Sequence, residues 1–159
     1  MVITLTTPRC LIRPFERQDI ESFMIYRNDL DWMKYQSFKG LSYTEYENAL
    51  LGEQSLQHGI QLAIIDQATE ELIGDVYIQQ EDQTYWIGYT IAPTRARQGY
   101  AFEVMSGLIR HLADQGAEVF KAGVLETNEA SIALLKKLNF TYHTTELDEH
   151  IYRLDVSDM

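Results

Sequence analysis

The sequence predicts a mixed α/β (α+β) fold in which helices flank a central, mostly antiparallel sheet. Two observations carry that class. Helical periodicities stand toward both ends of the chain, and between them lie three consecutive runs rich in β-branched and aromatic residues, Ile60 to Ile65, Leu72 to Gln79 and Tyr85 to Ala92. The runs are separated only by the polar turns Asp66-Gln67-Ala68-Thr69-Glu70 and Glu81-Asp82-Gln83, which suit hairpins and are too short for the crossovers of a doubly wound parallel sheet.

The elements follow in order. Arg9 to Phe15 reads as a first strand that Pro14 ends or places at an edge. Asp19 is placed to cap a helix to about Asn28, with Ile20, Phe23, Met24 and Ile25 on its apolar face. Ser42 or Thr44 opens a second helix through about Leu56, and Ser42-x-x-Glu45 has capping-box spacing. After the three-strand meander come a helix from Gly99 to about Gln115, a strand from Val119 to Leu125, and a helix from Asn128 to about Leu138. Phe140 to Glu146 and His150 to Val156 close the chain as a hairpin around Leu147-Asp148-Glu149.

With 159 residues, no repeats and no Pro/Gly/Ser linker, residues 1–159 read as a single domain. No apolar run approaches the roughly 20 residues of a membrane span, and Met1-Val2-Ile3-Thr4-Leu5 lacks the basic and small-residue features of a signal peptide, so a cytoplasmic location and no membrane partner are expected. The formal charge of −11 repels phosphate backbones and argues against a nucleic-acid partner. The lone cysteine, Cys10, sits in the first strand and reads as a small buried residue. His58, His111, His143 and His150 are scattered without metal-ligand spacing, so no metal is expected.

The chemistry concentrates between Trp86 and Glu103. A strand ends at Pro93, a short loop carries Arg95 and Arg97, and Gly99 to Ala101 open a long helix. From Thr84 to Phe102 there is no acidic residue, which in so acidic a chain makes a local positive island. Helix starts present free N–H groups and the positive end of the helix dipole, and Gly99 removes a side chain that would block approach, so an anionic ligand fits this loop. The plain alternative is a strand–loop–helix connection with two solvated arginines. A second segment, Thr127-Asn128-Glu129-Ala130-Ser131, places Ser131 one turn after Asn128 on the same side of a helix; by itself Asn128 reads first as an ordinary cap.

Arg97-Gln98-Gly99-x-Ala101, after Ile87-Gly88-Tyr89-x-Ile91-x-Pro93, resembles the pyrophosphate loop of the GNAT superfamily of N-acetyltransferases, with the consensus Gln/Arg-x-x-Gly-x-Gly/Ala and Ala96 as a departure at its first position. The resemblance implies that the amides of Arg97, Gln98, Gly99, Tyr100, Ala101 and Phe102 cradle the pyrophosphate of acetyl-CoA. It also implies that the strand end Tyr89, Thr90 and Ile91 pairs with the pantetheine arm, and that an N–H near Ile91 polarises the thioester. The second segment is similar to the Asn-x-x-Ser-x-x-x-x-x-Lys-Leu-Gly-Phe signature of the ribosomal-protein (RimJ/RimL) branch, with Asn139 in the Gly position. There Asn128 would bond the pantetheine amide and Ser131 would be the catalytic group serving the leaving thiolate. Many members carry a tyrosine seven residues after the Asn for that purpose; this chain has Leu135. The opening Thr7-Pro8-Arg9-Cys10-Leu11-Ile12-Arg13-Pro14-Phe15 with Asp19 resembles the same branch, so the likeness spans nearly the whole chain.

The activity that this resemblance implies is acetyl-CoA-dependent transfer of an acetyl group to a primary amine, a protein N-terminus or a small molecule, by direct attack in a ternary complex and by a monomer or homodimer. The general base is not evident: the position some members fill with Glu aligns near Tyr85, and the alternatives Asp75, Glu81 and Glu126 each read more readily as solvated surface acids. Without a strong base, a low-pKa amine is the easier acceptor. A non-catalytic CoA-binding or protein-interaction module with the same fold is the competing expectation.

Overall fold

The computed structural model describes residues 3–159; Met1 and Val2, part of the segment that lacks signal-peptide features, lie outside them. One sheet of eight strands organises the molecule, in the spatial order β1-β2-β3-β4-β5-β6-β8-β7. The strands are β1 (Leu5–Thr6), β2 (Cys10–Pro14), β3 (Ile60–Asp66), β4 (Leu72–Glu81), β5 (Thr84–Ile91), β6 (Val119–Leu125), β7 (Thr141–Glu146) and β8 (Glu149–Asp155). The helices are α1 (Ile20–Arg27), α2 (Tyr43–Leu51), α3 (Tyr100–Asp114) and α4 (Glu129–Lys137). The expected meander is present as antiparallel β3-β4-β5, and the C-terminal hairpin as antiparallel β7-β8.

Both faces of the sheet are covered, which explains why β3 reads as the unbroken apolar run Leu62-Ala63-Ile64-Ile65. Leu62 and Ile64 join Val76, Ile78 and Ile87 against α3, while Ala63 and Ile65 face α1 and α2. Helix α3 turns Val104, Met105, Leu108, Ile109 and Leu112 inward along one stripe. Leu108 and Leu112 are fully buried, each contributing about 2 kcal/mol of apolar transfer. On the other face Phe23 stacks edge-on against Phe15, Tyr26 and Tyr46.

Three local expectations change. Strand β1 carries no sequence signal; two residues are too short to show a period. Helix α2 stops at Leu51 rather than near Leu56, because Gly52 takes an extended conformation and the chain turns at Ser55–Gly59. Asp19 makes no side-chain cap to α1; its carboxylate instead accepts from the Glu16 amide at 2.8 Å and from Arg13 at 2.7 Å. The Ser42/Glu45 capping box forms, and Asn139 takes the left-handed conformation (φ 72°) expected of a helix stop.

The feature that matters for function is the one parallel contact. β5 pairs with β6 only through Thr84–Val119, Tyr85–Phe120 and Trp86–Lys121. Beyond it β5 keeps to β4 as far as Ile91, and β6 keeps to β8 as far as Leu125. The two strands therefore splay and leave a wedge in the sheet.

Candidate active site

The wedge encloses a cavity of about 430 Å³ between Ile87–Tyr89 of β5, Ala122–Leu125 of β6, and Asn128, Ser131 and Leu135 at the start of α4. A wider cleft of about 1030 Å³ lies on the α1/α2 face, floored by Asp75 of β4 and Thr90 of β5. Gln36, Ser37, Gly88, Tyr89, Gly123 and Glu149 line both spaces, so the two meet at the wedge mouth.

Hydrogen-bond alternation fixes what β5 offers. The Ala92 amide bonds Ile73 at 2.8 Å, which in this register assigns Thr90 to β4 as well and turns the backbone groups of Tyr89 and Ile91 toward the wedge. The Ile91 carbonyl is taken there by the Trp32 indole N–H at 3.0 Å. Thr90 stands apart from Tyr89 and Ile91: its backbone pairs with Asp75, and its hydroxyl accepts from Arg27 at 3.2 Å.

On α4, Asn128 is the N-cap, its Oδ1 accepting from the Ser131 amide at 3.3 Å. That leaves its side-chain NH₂ for another partner. The Ser131 and Tyr89 hydroxyls bond each other across the wedge at 3.1 Å. Burial pushes the Tyr89 phenol above its ordinary pKa against the opposing effect of Ser131. Leu135 is buried in the core.

At the other end of β5, a single 3₁₀ turn (Pro93–Arg95) leads to Arg97 (φ 62°) and Gly99 (φ 81°), both left-handed, before α3 begins. A Cβ on Gly99 would meet only Arg9 Nη2, at 3.5 Å, so glycine is needed there for its backbone conformation rather than for space. The first bond of α3 runs from Glu103 N–H to Gly99 O at 3.1 Å, leaving the amides of Tyr100, Ala101 and Phe102 without intrahelical carbonyls. Two arginines pin this loop. Arg9 donates to the Gln98 carbonyl at 3.0 Å and to Glu103 at 2.7 Å, and lies 4.0 Å over the Tyr100 ring. Arg95 bonds Asp66 at 2.5 Å and Glu71 at 2.9 Å. The positive island is thereby corrected: Arg95 is neutralised by acids of the β3–β4 turn, and Arg97 is the exposed cation of the pair.

The acids also redistribute. Asp75, expected to be a solvated surface group, is 1 % exposed and ion-paired with buried Arg27 at 2.6 Å; Tyr26 and Gln61 donate to it as well. Tyr85 packs in the core beside Phe120. Glu81 and Glu126 are exposed, as expected. The carboxylate at the wedge mouth is Glu149, which no sequence motif singles out; it reaches across Gly123, where a Cβ would lie 3.1 Å from its Oε1. Cys10 is fully buried, and burial pushes its thiol up to about 11, so it carries no thiolate near neutral pH. Among the described residues no three His, Cys, Asp or Glu side chains gather as a metal site, and no helix is long and apolar enough to cross a membrane.

The arrangement is similar to known proteins along almost the whole chain. The family model described as an acetyltransferase (GNAT) domain matches residues 9–141. An uncharacterized N-acetyltransferase of Bacillus subtilis, YoaA, is 30 % identical over 145 residues, covering 86 % of this chain and 81 % of that protein. A GNAT-family acetyltransferase from Bacillus anthracis superposes with a TM-score of 0.86 at 20 % identity, covering 96 % of this chain and 98 % of that one. RimL, a ribosomal L7/L12 alpha-N-protein acetyltransferase solved in complex with coenzyme A, superposes with a TM-score of 0.81 at 17 % identity, with 98 % of each chain covered. The splayed sheet, the glycine-opened α3 and the matched family model lead to one conclusion: the chain belongs to the GNAT acetyltransferase family and is an acyltransferase.

Proposed function

We propose that residues 1–159 act as one acetyl-CoA-dependent N-acetyltransferase unit that acetylates a primary amine, a protein N-terminus or a small molecule, by direct attack in a ternary complex. The observation that carries this reading is the wedge opening into the cleft: a narrow slot and a broad basin of mixed lining share one mouth. The residues present suit acetyl-CoA. The amides of Arg97 to Phe102 would hold its pyrophosphate, since a left-handed loop ahead of a helix start collects N–H donors and the positive dipole end. The wedge-facing backbone of Tyr89 and Ile91 and the side-chain amide of Asn128 would hold the pantetheine arm, with the Ile91 N–H directed at the thioester carbonyl. When bound, acetyl-CoA supplies the activated acyl group.

Among the described residues Glu149 is the one carboxylate lining both cavities, and we assign it the proton lost by the amine. Ser131 would serve the leaving sulfur. The buried, protonated Cys10 leaves direct attack as the route rather than an acyl-enzyme. Asp75 has no part in proton transfer, because Arg27, Tyr26 and Gln61 already occupy its oxygens. The Asn128-x-x-Ser131 spacing resembles that of the ribosomal-protein branch, which acetylates protein α-amines, and an α-amine near pKa 8 needs less deprotonation than a lysine near 10.4.

Isothermal titration with acetyl-CoA and CoA tests the cosubstrate. Thiol release with a peptide bearing a free N-terminus, with spermidine and with lysine then tests the acceptor. Micromolar binding is expected, with thiol release to the peptide; absence of binding at millimolar ligand would refute the proposal.

A further inference from the structure

Four side chains bring hydroxyls to the wedge cavity: Tyr35, Ser37, Tyr89 and Ser131. Tyr35 donates its proton to the Thr127 carbonyl at 3.2 Å, and Ser37 stands exposed. Tyr89 and Ser131 come from opposite walls, β5 and α4, and bond each other at 3.1 Å. Two hydroxyls joined by one hydrogen bond have two protons between them, so one O–H remains for a third acceptor whichever group donates. The shared bond also polarises that remaining O–H and strengthens it as a donor. Its position is held from both sides, by the pairing of β5 with β4 and by the Asn128 cap on the Ser131 amide. Leu135, one helical turn further along α4, is apolar and offers no donor.

We propose that Tyr89 is a catalytic residue, joined to Ser131 in a two-hydroxyl donor that stabilises the CoA thiolate as it leaves. The assignment rests on the acetyl-transfer reading above and adds to it a phenol delivered from the sheet. In the transfer, a C–N bond forms between the amine and the acetyl carbon. The C–S bond breaks with its electron pair remaining on sulfur, and the hydroxyl pair donates a hydrogen bond to that anion. The phenol keeps its own proton, because burial pushes it above the ordinary phenol range, which already lies above that of a thiol. The proton shed by the amine leaves through Glu149 to solvent, and the thiolate is released as such or takes a proton from water.

A donor aimed at the thiolate lowers the pKa of the bound thiol, and this is measurable without any acceptor amine. The test is the pH dependence of iodoacetamide alkylation of CoA held by excess protein. Cys10, the protein's one thiol, is fully buried and protonated, so the reaction reads CoA alone. In the wild type the bound thiol should titrate about one unit below free CoA. Tyr89→Phe should return it to the free value while changing CoA affinity by less than about threefold, since only one oxygen is removed. A bound thiol unshifted in the wild type, or equally shifted in Tyr89→Phe, overturns the proposal. If Tyr89→Phe proves unable to hold CoA, Ser131→Ala decides: a thiol pKa unchanged from the wild type overturns the pair. Failure of wild-type protein to bind CoA at all would instead sink the acetyltransferase reading beneath it.

Discussion

The loop ahead of α3 and the cleft beside α1 and α2 are built to opposite plans. The loop is short, conformationally committed at Arg97 and Gly99, and fastened at both ends by Arg9 and Arg95. The cleft has a rigid floor in the Asp75–Arg27 pair, but its walls come from irregular stretches around Gln36–Phe38 and Gln54–Gly59. On the proposed reading, a cosubstrate common to a family would be met by backbone amides on a fixed scaffold, and the acceptor by side chains on connecting segments, where sequences differ most easily. The contrast explains why the chain's motifs point to a cosubstrate and not to an acceptor.

The contrast can be broken first at the cleft floor. Asp75→Ala leaves the Arg27 guanidinium buried without its partner and should cost about 3–5 kcal/mol of stability, read as a lowered denaturation midpoint. A loss below about 1 kcal/mol would mean that water reaches the pair. Next comes Glu149→Gln, expected to lower kcat/KM about a hundredfold with the amine the wild type accepts, while leaving CoA affinity in place. An unaltered rate would remove Glu149 from the mechanism. Gly99→Val should weaken CoA binding more than about tenfold through left-handed strain on a β-branched residue, with little change at the cleft. Unchanged affinity by calorimetry would show that the loop tolerates another conformation.

Arg9→Gln should weaken CoA about fivefold, because Glu103 in the first turn of α3 then faces the anion unneutralised. The double change with Glu103→Gln should recover much of that loss, and equal weakness in both variants would argue for a loosened loop instead. The smallest effect is that of pH. Burial alone would raise the Glu103 carboxyl, but hydrogen bonds from Thr7 and Arg9 hold it below its ordinary range, and Arg95 does the same for Asp66. Their contribution to stability is present above about pH 4, where these groups would ionise in the unfolded chain, and is lost as pH falls through the folded values. Melting temperature should therefore fall on acidification below that point, and less steeply in Arg9→Gln.

Much of the fold is legible in the sequence because it is local. The capping box at Ser42, the cap at Asn128 and the left-handed Asn139 follow from residues a few positions apart. Period alone places the strands of the meander and the stripe of α3. The features that escape such a reading join distant residues. Asp75 is separated from Arg27 by 48 positions, and by itself Asp75 reads as an ordinary surface acid. Arg95 looks free to bind an anion because Asp66 and Glu71 lie 29 and 24 residues away. Glu149 gives no signal at all, since only the approach of β8 to β6 carries it over Gly123. The bond between Tyr89 and Ser131 likewise exists only across the wedge, between elements 42 residues apart.

The three register pairs joining β5 to β6 also make a seam. The backbone edge that β5 leaves open toward β6 is a row of rungs missing from a ladder, and a chain-like guest laid along it would act as a staple between two half-sheets. Such a molecule gains more from occupancy than a filled pocket normally gives. The C-terminal half should breathe against the N-terminal half when empty and fall quiet when loaded, visible as slowed amide exchange along Ala122–Leu125, the β6 wall of the wedge.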